Sequence, residues 1–385
     1  MSNWKLMHQT ITKLDRLKLA SFVLTTDQFT NGPKVKEFEK KWSKWLGCEY
    51  SLFVSSGSTA NFLLVAAIKE KYNLKNGDKV IVPACTWVTN VGPIIQLGLE
   101  PIFCDINMDN YSFDVDNLKK IKKEHPDVKM IFVTHLLGFA ADNKAYSEIF
   151  PEALIIDDVC ESHGCKDKNG YKIGANSLGA TFSFYFGHHM TTIEGGMVST
   201  NDAELYDLMK MKRSHGMARE SINSDKYAEQ YPDIQRSFLF ITDGYNFRNH
   251  EICAVLGLEQ LKRLDDMIDK RRDNYKAFLD LIKQYDSLFY VPGENPGNSS
   301  FCFPVVAKTK ETYDRLVVLL KEHGIEYRPV VGGNLLRHPF LEGHTLNKKN
   351  SNADIVNDSG VYLGNSHFVS NKQIKLLEKI LRKLC

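Results

Sequence analysis

Tyr50-Ser51-Leu52-Phe53-Val54 runs into Ser55-Ser56-Gly57-Ser58-Thr59-Ala60-Asn61, and apolar residues continue at helical spacing over 60–68. The first five residues read as a buried strand, the next seven as a turn of small side chains that opens a helix. The same unit recurs along the chain. Lys79-Val80-Ile81-Val82-Pro83 is a strand and 88–97 suits a helix. Further strands are expected at 101–105, 129–133, 153–158, 182–186 and 196–200, with a helix over 203–213. Ahead of the first unit, Val35, Phe38, Trp42 and Trp45 recur at helical spacing. Strands alternating with helices predict an α/β fold with a mainly parallel sheet flanked by helices. In such sheets ligands bind beyond the carboxyl ends of the strands.

The alternation stops after residue 213. Residues 220–244 are mostly polar and read as a loop. A long helix over 251–278 is expected next, with Lys262, Arg263, Asp265, Asp266, Lys270, Arg271 and Arg272 on a charged face. A strand at 301–306, a helix at 311–323 and a final helix from Asn371 complete a smaller α+β unit. The chain has 385 residues, which at ~150 residues per domain suggests two or three. We divide it into a large α/β domain at 1–249, including an N-terminal arm, and a small C-terminal α+β domain at 250–385.

Composition removes several function classes. The 49 basic and 47 acidic residues leave a net charge of +2. That balance argues against a dedicated nucleic-acid or membrane-surface binder. No apolar run approaches the ~18 residues of a membrane span. The opening run, 1–10, has no apolar signal-peptide core, so the expected location is cytoplasmic. The eight cysteines lie at 48, 85, 104, 160, 165, 253, 302 and 385 and form no CxxC. They read as reduced thiols. Cys160, His163 and Cys165 are the one tight group, lack an evident fourth ligand, and lead to no metal site being expected.

Three segments carry candidate chemistry. The Gly57 turn lets backbone approach a ligand, and the helix N-terminus suits a phosphate; simple capping by a serine is the plainer alternative. Ile155-Ile156-Asp157-Asp158-Val159-Cys160-Glu161 sets two acids at a strand's carboxyl end, where one could pair with a protonated heterocycle or merely cap a helix. The third segment is Thr181-Phe182-Ser183-Phe184-Tyr185-Phe186-Gly187-His188-His189-Met190-Thr191-Thr192-Ile193-Glu194-Gly195-Gly196. Two adjacent histidines on a loop cannot easily both be core residues.

Jointly these segments resemble the sugar aminotransferase family of fold-type I pyridoxal phosphate proteins, the DegT/DnrJ/EryC1/StrS group. The resemblance runs from Thr30-Asn31-Gly32-Pro33 to Gly244-Tyr245-Asn246-Phe247-Arg248. It implies a cofactor cradle in which Gly57, Ser58 and Ser183 bind phosphate. Trp87 stacks on the ring, and Asp158 pairs with the pyridine nitrogen, with Asp157 the less favoured neighbour. Glu161 stands where relatives often have glutamine, near the ring hydroxyl. Asn246 is expected to reach the phosphate bound by the other subunit of a homodimer. His215, Arg219, Arg328 and Asn334 fall in segments that resemble sugar-nucleotide contacts.

One departure decides the reaction. Laying residues 191–196 on the family's Thr-Thr-Gly-Glu-Gly-Gly pattern puts His188 where the cofactor-anchoring lysine belongs. No lysine occurs between Lys172 and Lys210. This resembles the subgroup in which histidine replaces lysine, the nucleotide-sugar 3-dehydratases. Lysine moves protons and also captures the cofactor; histidine can do only the first. The implied substrate is a GDP-linked 4-keto-6-deoxy sugar, with pyridoxal 5′-phosphate and pyridoxamine 5′-phosphate as cofactor forms and L-glutamate as amino donor. His188 would remove a carbon-bound proton and return it to the departing C3 hydroxyl, since hydroxide alone leaves poorly. His189 would support it. Expected products are the 4-keto-3,6-dideoxy sugar, ammonia and 2-oxoglutarate. Three alternatives are a nucleotide-sugar 4-aminotransferase, an iron–sulfur dehydratase, which would need clustered cysteines, and a catalytically dead ligand-binding homologue.

Overall fold

The computed structural model describes residues 4–346 and 351–385. The first three residues of the N-terminal run read above lie outside them. Seven strands form the main sheet: β1 (Tyr50–Val54), β2 (Lys79–Pro83), β3 (Glu100–Cys104), β4 (Met130–Thr134), β5 (Leu154–Asp158), β6 (Ala180–Ser183) and β7 (Gly196–Thr200). Their order is β1-β7-β6-β5-β4-β2-β3. β7 is antiparallel to both neighbours and the other pairs are parallel. The strands are buried on both faces by helices, as continuous apolar runs require. The carboxyl ends of β1, β2, β4, β5 and β6 therefore share one edge, and the cradle residues follow those ends.

A second sheet has the order β10-β11-β9-β8, all antiparallel. Its strands are β8 (Phe289–Tyr290), β9 (Cys302–Ala307), β10 (Tyr327–Pro329) and β11 (Gly360–Gly364). The N-terminal arm belongs to this side. Trp4 pairs with Ile325, and its indole Nε1 donates to Gly364 O at 2.9 Å.

Several elements differ from expectation. Strand β6 ends at Ser183 rather than 186: after Phe184 N bonds Gly195 O, Phe184 O accepts from Thr192 N within the following loop. Residues 88–97 form a 3-10 turn, Val88–Asn90, and a short helix, Gly92–Gln96. The polar stretch 220–244 contains a helix, Ser224–Gln230. The expected helix 251–278 is two helices, Glu251–Leu261 and Leu264–Ile282. Arg263 sits at their junction and is captured by Asp15 and Thr10 O. Arg271 also leaves the expected charged face. It is 3% exposed, on the buried stripe with Ile268, Tyr275 and Phe278.

Candidate active site

Local sequence explains the phosphate-sized cradle. The helix Gly57–Lys71 is capped by Ser56, whose hydroxyl accepts from Thr59 N at 3.1 Å. The plain capping role therefore falls to Ser56. Gly57 and Ser58 occupy the first two helical positions, where N–H groups have no intrahelical acceptor. Gly57 is required by proximity: a Cβ there would lie 2.6 Å from Ser183 Cβ, 2.9 Å from its Oγ and 3.2 Å from Cys160 Sγ. That missing side chain brings the end of β6 against the helix N-terminus. Ser183 is buried and Ser58 exposed.

Asp157 and Asp158 are separated by the alternation of β5. Asp157 accepts from Asn143 Nδ2 at 2.8 Å and from the Ser177 hydroxyl, and stands 3.1 Å from His135 Nε2. Burial pushes its carboxyl up, but His135, Ser177 and Asn143 outweigh that and the net shift is downward. Asp158 faces the cradle side. Its Oδ2 accepts from Asn61 Nδ2 at 2.8 Å and Asn90 Nδ2 at 2.9 Å, and its Oδ1 from Cys160 N at 2.9 Å. Each amide is oriented by a hydroxyl. Thr181 Oγ1 donates to Asn61 Oδ1 at 2.5 Å and Thr86 Oγ1 to Asn90 Oδ1 at 2.7 Å. The amino groups must then point at the carboxylate. Asp158 is 4% exposed and is held only by neutral donors.

Trp87 begins the turn that carries Asn90 and is 55% exposed, so it is no core aromatic. Glu161 Oε2 accepts from Leu137 N at 3.0 Å. Leu137 itself is in the left-handed region, φ 56°. Burial raises the Glu161 pKa to about 7; the Leu137 bond opposes this and Asp158 adds to it. Glu161 thus keeps its protonated, donating form available near neutral pH.

His188 lies on the loop after β6. Its ring sits 5.5 Å from that of Phe301, 6.0 Å from that of His163 and 6.5 Å from that of Tyr185, centroid to centroid. Its Nδ1 is buried without a partner. Burial, then the Arg271 guanidinium, lowers its pKa to about 4. The neighbouring His189 is fully buried, donates from Nε2 to Ser299 O at 2.7 Å, and meets His163 Nδ1 at 3.2 Å. This anchors the loop. It also engages His163, and among the described residues no group of three His, Cys, Asp or Glu side chains is placed to hold a metal ion.

The structure therefore gathers Gly57, Ser183, Asp158, Glu161, Trp87 and His188 at one edge of the sheet. Arg328, on β10, approaches the same region through Tyr362, which lines the His188 cavity. His215 and Asn246 form a separate exposed ribbon, with Ser214 bridged to Asn246 and His215 N bonded to Tyr245 O. Arg219 is exposed beside Glu220 and lines another cleft, with Lys36 and Tyr50. Asn334 is 4% exposed; its Nδ2 donates to Asp354 and its Oδ1 accepts from Leu336 N, so its side chain holds its own loop. Asn61, Asn90, Leu137 and Arg271 were not singled out by the sequence reading. Only Arg271 had a signal, its place on the apolar stripe of its helix.

These residues fit a flat, phosphate-bearing, nitrogen-protonated ring. The helix N-terminus at Gly57 sets N–H groups without intrahelical acceptors beside the Ser183 hydroxyl, as a phosphate needs, the exposed Trp87 offers a stacking face, and Asp158 presents a carboxylate without a cationic partner. No lysine of the chain falls on the loop that carries His188.

Comparisons with known proteins agree. The model of the DegT/DnrJ/EryC1/StrS aminotransferase family matches residues 11–381. The GDP-4-keto-6-deoxy-D-mannose 3-dehydratase of Yersinia pseudotuberculosis is 36% identical over 373 residues, covering 94% of each chain. A structure of the Escherichia coli GDP-4-keto-6-deoxy-D-mannose-3-dehydratase with bound hydrated PLP superposes with a TM-score of 0.91 at 32% identity, covering 99% of this chain and all of that one. A GDP-4-keto-6-deoxymannose-3-dehydratase with a trapped PLP-glutamate geminal diamine gives a TM-score of 0.91 at 33% identity, covering 98% of this chain and all of that one.

Proposed function

This chain belongs to the DegT/DnrJ/EryC1/StrS aminotransferase family, and we propose that it is a lyase that removes the C3 hydroxyl of a GDP-linked 4-keto-6-deoxy sugar. The reaction consumes L-glutamate and yields a 4-keto-3,6-dideoxy sugar, ammonia and 2-oxoglutarate. The observation that carries this reading is His188, an imidazole at the end of an otherwise complete cradle, on a loop without lysine.

Bound pyridoxamine phosphate, renewed from pyridoxal phosphate by glutamate, supplies the amine that joins the sugar ketone and the ring that takes up its electrons. Gly57 and Ser58 N–H groups and the Ser183 hydroxyl hold the phosphate. The Asp158 carboxylate keeps a proton on the ring nitrogen, and Trp87 covers one ring face. Glu161, when protonated, donates to the ring oxygen. His188 takes a proton from carbon and hands it to the C3 hydroxyl, so that water and not hydroxide departs. Its low pKa suits the second half of this exchange, because a weakly basic imidazole gives up its proton readily.

Arg328 and Arg219 are suited to the diphosphate by their forked donors. His215 belongs with them on a loop that meets the sugar. Asn334 shapes that pocket from behind. The exposed Asn246 ribbon supports a homodimer in which each subunit completes its partner's phosphate site. Among the described residues no helix is long and apolar enough to cross a membrane, and cytoplasmic sugar-nucleotide metabolism is the setting we propose.

The test is incubation with GDP-4-keto-6-deoxymannose, pyridoxal phosphate and L-glutamate, followed by mass spectrometry of the sugar nucleotide. The expected product is lighter by one oxygen and appears only with glutamate. A product whose ketone has become an amine would make the protein a transaminase.

A further inference from the structure

Arg271 is a buried cation without a carboxylate. Its guanidinium lies in the cavity that holds His188, and its Nη1 donates to Phe301 O at 3.0 Å, to Ser300 O at 3.5 Å and to Asn365 O. Among the described residues no acid pairs with it, and burial lowers its pKa to about 10, still charged at neutrality. A buried guanidinium without a counter-ion costs stability that hydrogen bonds to carbonyls only partly offset.

The carbonyls it holds belong to a segment with two further tasks. Ser299 O accepts from His189, beside His188. Ser299 N donates to Gly138 O and Phe301 N to Leu137 O, both at 2.9 Å. Leu137 N in turn donates to Glu161. The fit is close: a Cβ on Gly138 would fall 2.6 Å from Phe301 N and from Ser300 N and Cα. Residues 299–301 therefore touch the loop of the base on one side and the turn that serves the acid on the other.

Burial pushes other titratable groups that line the cavity or stand against the imidazole ring toward their neutral forms. His8 of the arm, His163 and His189 have lowered pKa values, burial being the largest cause of each. Burial raises Cys302 of β9 and Tyr362 of β11.

We infer that Arg271 is the positioning residue of this site: it clamps residues 299–301 between the His188 loop and the Leu137 turn, and it sets an uncompensated positive charge in the cavity that His188 lines. The inference rests on the reading of His188 as the base.

The test is a histidine NMR titration of the full chain, with and without pyridoxal phosphate, His188 being assigned by the resonance lost in His188→Asn. In the wild type His188 should titrate well below the ordinary histidine value of ~6.5. In Arg271→Gln its midpoint should rise by roughly one pH unit, and the acid limb of kcat/KM should move up equally. In Arg271→Lys, which keeps the charge and loses the contact with three carbonyls, the midpoint should stay low. There kcat should fall about tenfold at every pH with KM unchanged. A wild-type midpoint near 6.5, an unmoved midpoint in folded Arg271→Gln, or wild-type kcat in Arg271→Lys would each overturn the inference. Should Arg271→Gln not fold, the first and third results decide. The titration needs no sugar, so failure of the dehydration reading leaves its outcome legible.

Discussion

Asp157 and Asp158 are neighbours on one strand with opposite employment. Both are buried; Asp158 accepts from three donors, Asp157 from two with the His135 Nε2 3.1 Å away. Asp157 looks to the far face of the sheet, where an imidazole, an amide and a hydroxyl close around it. Asp158 looks to the cradle, where two amides and one backbone N–H steady it and leave its charge unmatched. A saturated carboxylate ties loops together. A steadied but unmatched one is ready for a cationic ligand. The same contrast separates two buried arginines: Arg213 is matched by Glu39 at 2.7 Å, whereas Arg271 meets only carbonyls.

The comparison breaks most directly at Asp158. Asp158→Asn should fold and lose about 10²–10³-fold in kcat, since a preorganised charge is removed from the reacting system. Steady-state kinetics at saturating cofactor would show it, and near-normal turnover would cancel the distinction between the two acids. A smaller effect is expected from Gly57→Ala. Its new methyl must displace Ser183 or Cys160, a strain of ~1–3 kcal/mol, so cofactor affinity should weaken about 10–100-fold. Absorbance titration with pyridoxal phosphate measures this.

On the far face, Asp157→Asn should cost stability of about 1–3 kcal/mol, seen as a lower Tm, with turnover nearly intact. The folded pKa of Asp157 is depressed, so its contribution is present above its unfolded pKa of ~3.9 and lost as pH falls through the folded value. Glu161→Gln sharpens the comparison from the opposite sign. The folded protein binds the Glu161 proton more tightly than the unfolded chain, so stability from that proton fades as pH rises from 4.5 through about 7. Glutamine stays neutral, and the variant should lose that slope in a series of melting curves. An unchanged slope would show that Glu161 is not the group responsible.

Much of this was legible because strands and helices announce themselves by period. β2 and β7 and the helix Ala203–Arg213 fall where the apolar pattern puts them. His188 was legible because a missing lysine is a property of sequence alone. Residue type alone leaves Asp157 and Asp158 alike; the family resemblance favours Asp158, and the strand sets the two on opposite faces. The break after residue 261 has no proline or glycine to mark it; Arg263 is captured by Asp15, 248 residues away. Arg271 hid in a run of charges, although its spacing from Ile268 and Tyr275 matches the buried stripe. Asn61 and Asn90 look like ordinary polar residues until a hydroxyl behind each fixes its amide. Long-range partners of this kind leave no local trace.

The account turns on His188 making this protein eliminate where a lysine-bearing relative would transfer. Incubation with L-glutamate carrying heavy nitrogen, the sugar nucleotide and pyridoxal phosphate tests that in one step. The label should appear as free ammonium, with none retained in the sugar. Label held in an amino sugar would contradict the account.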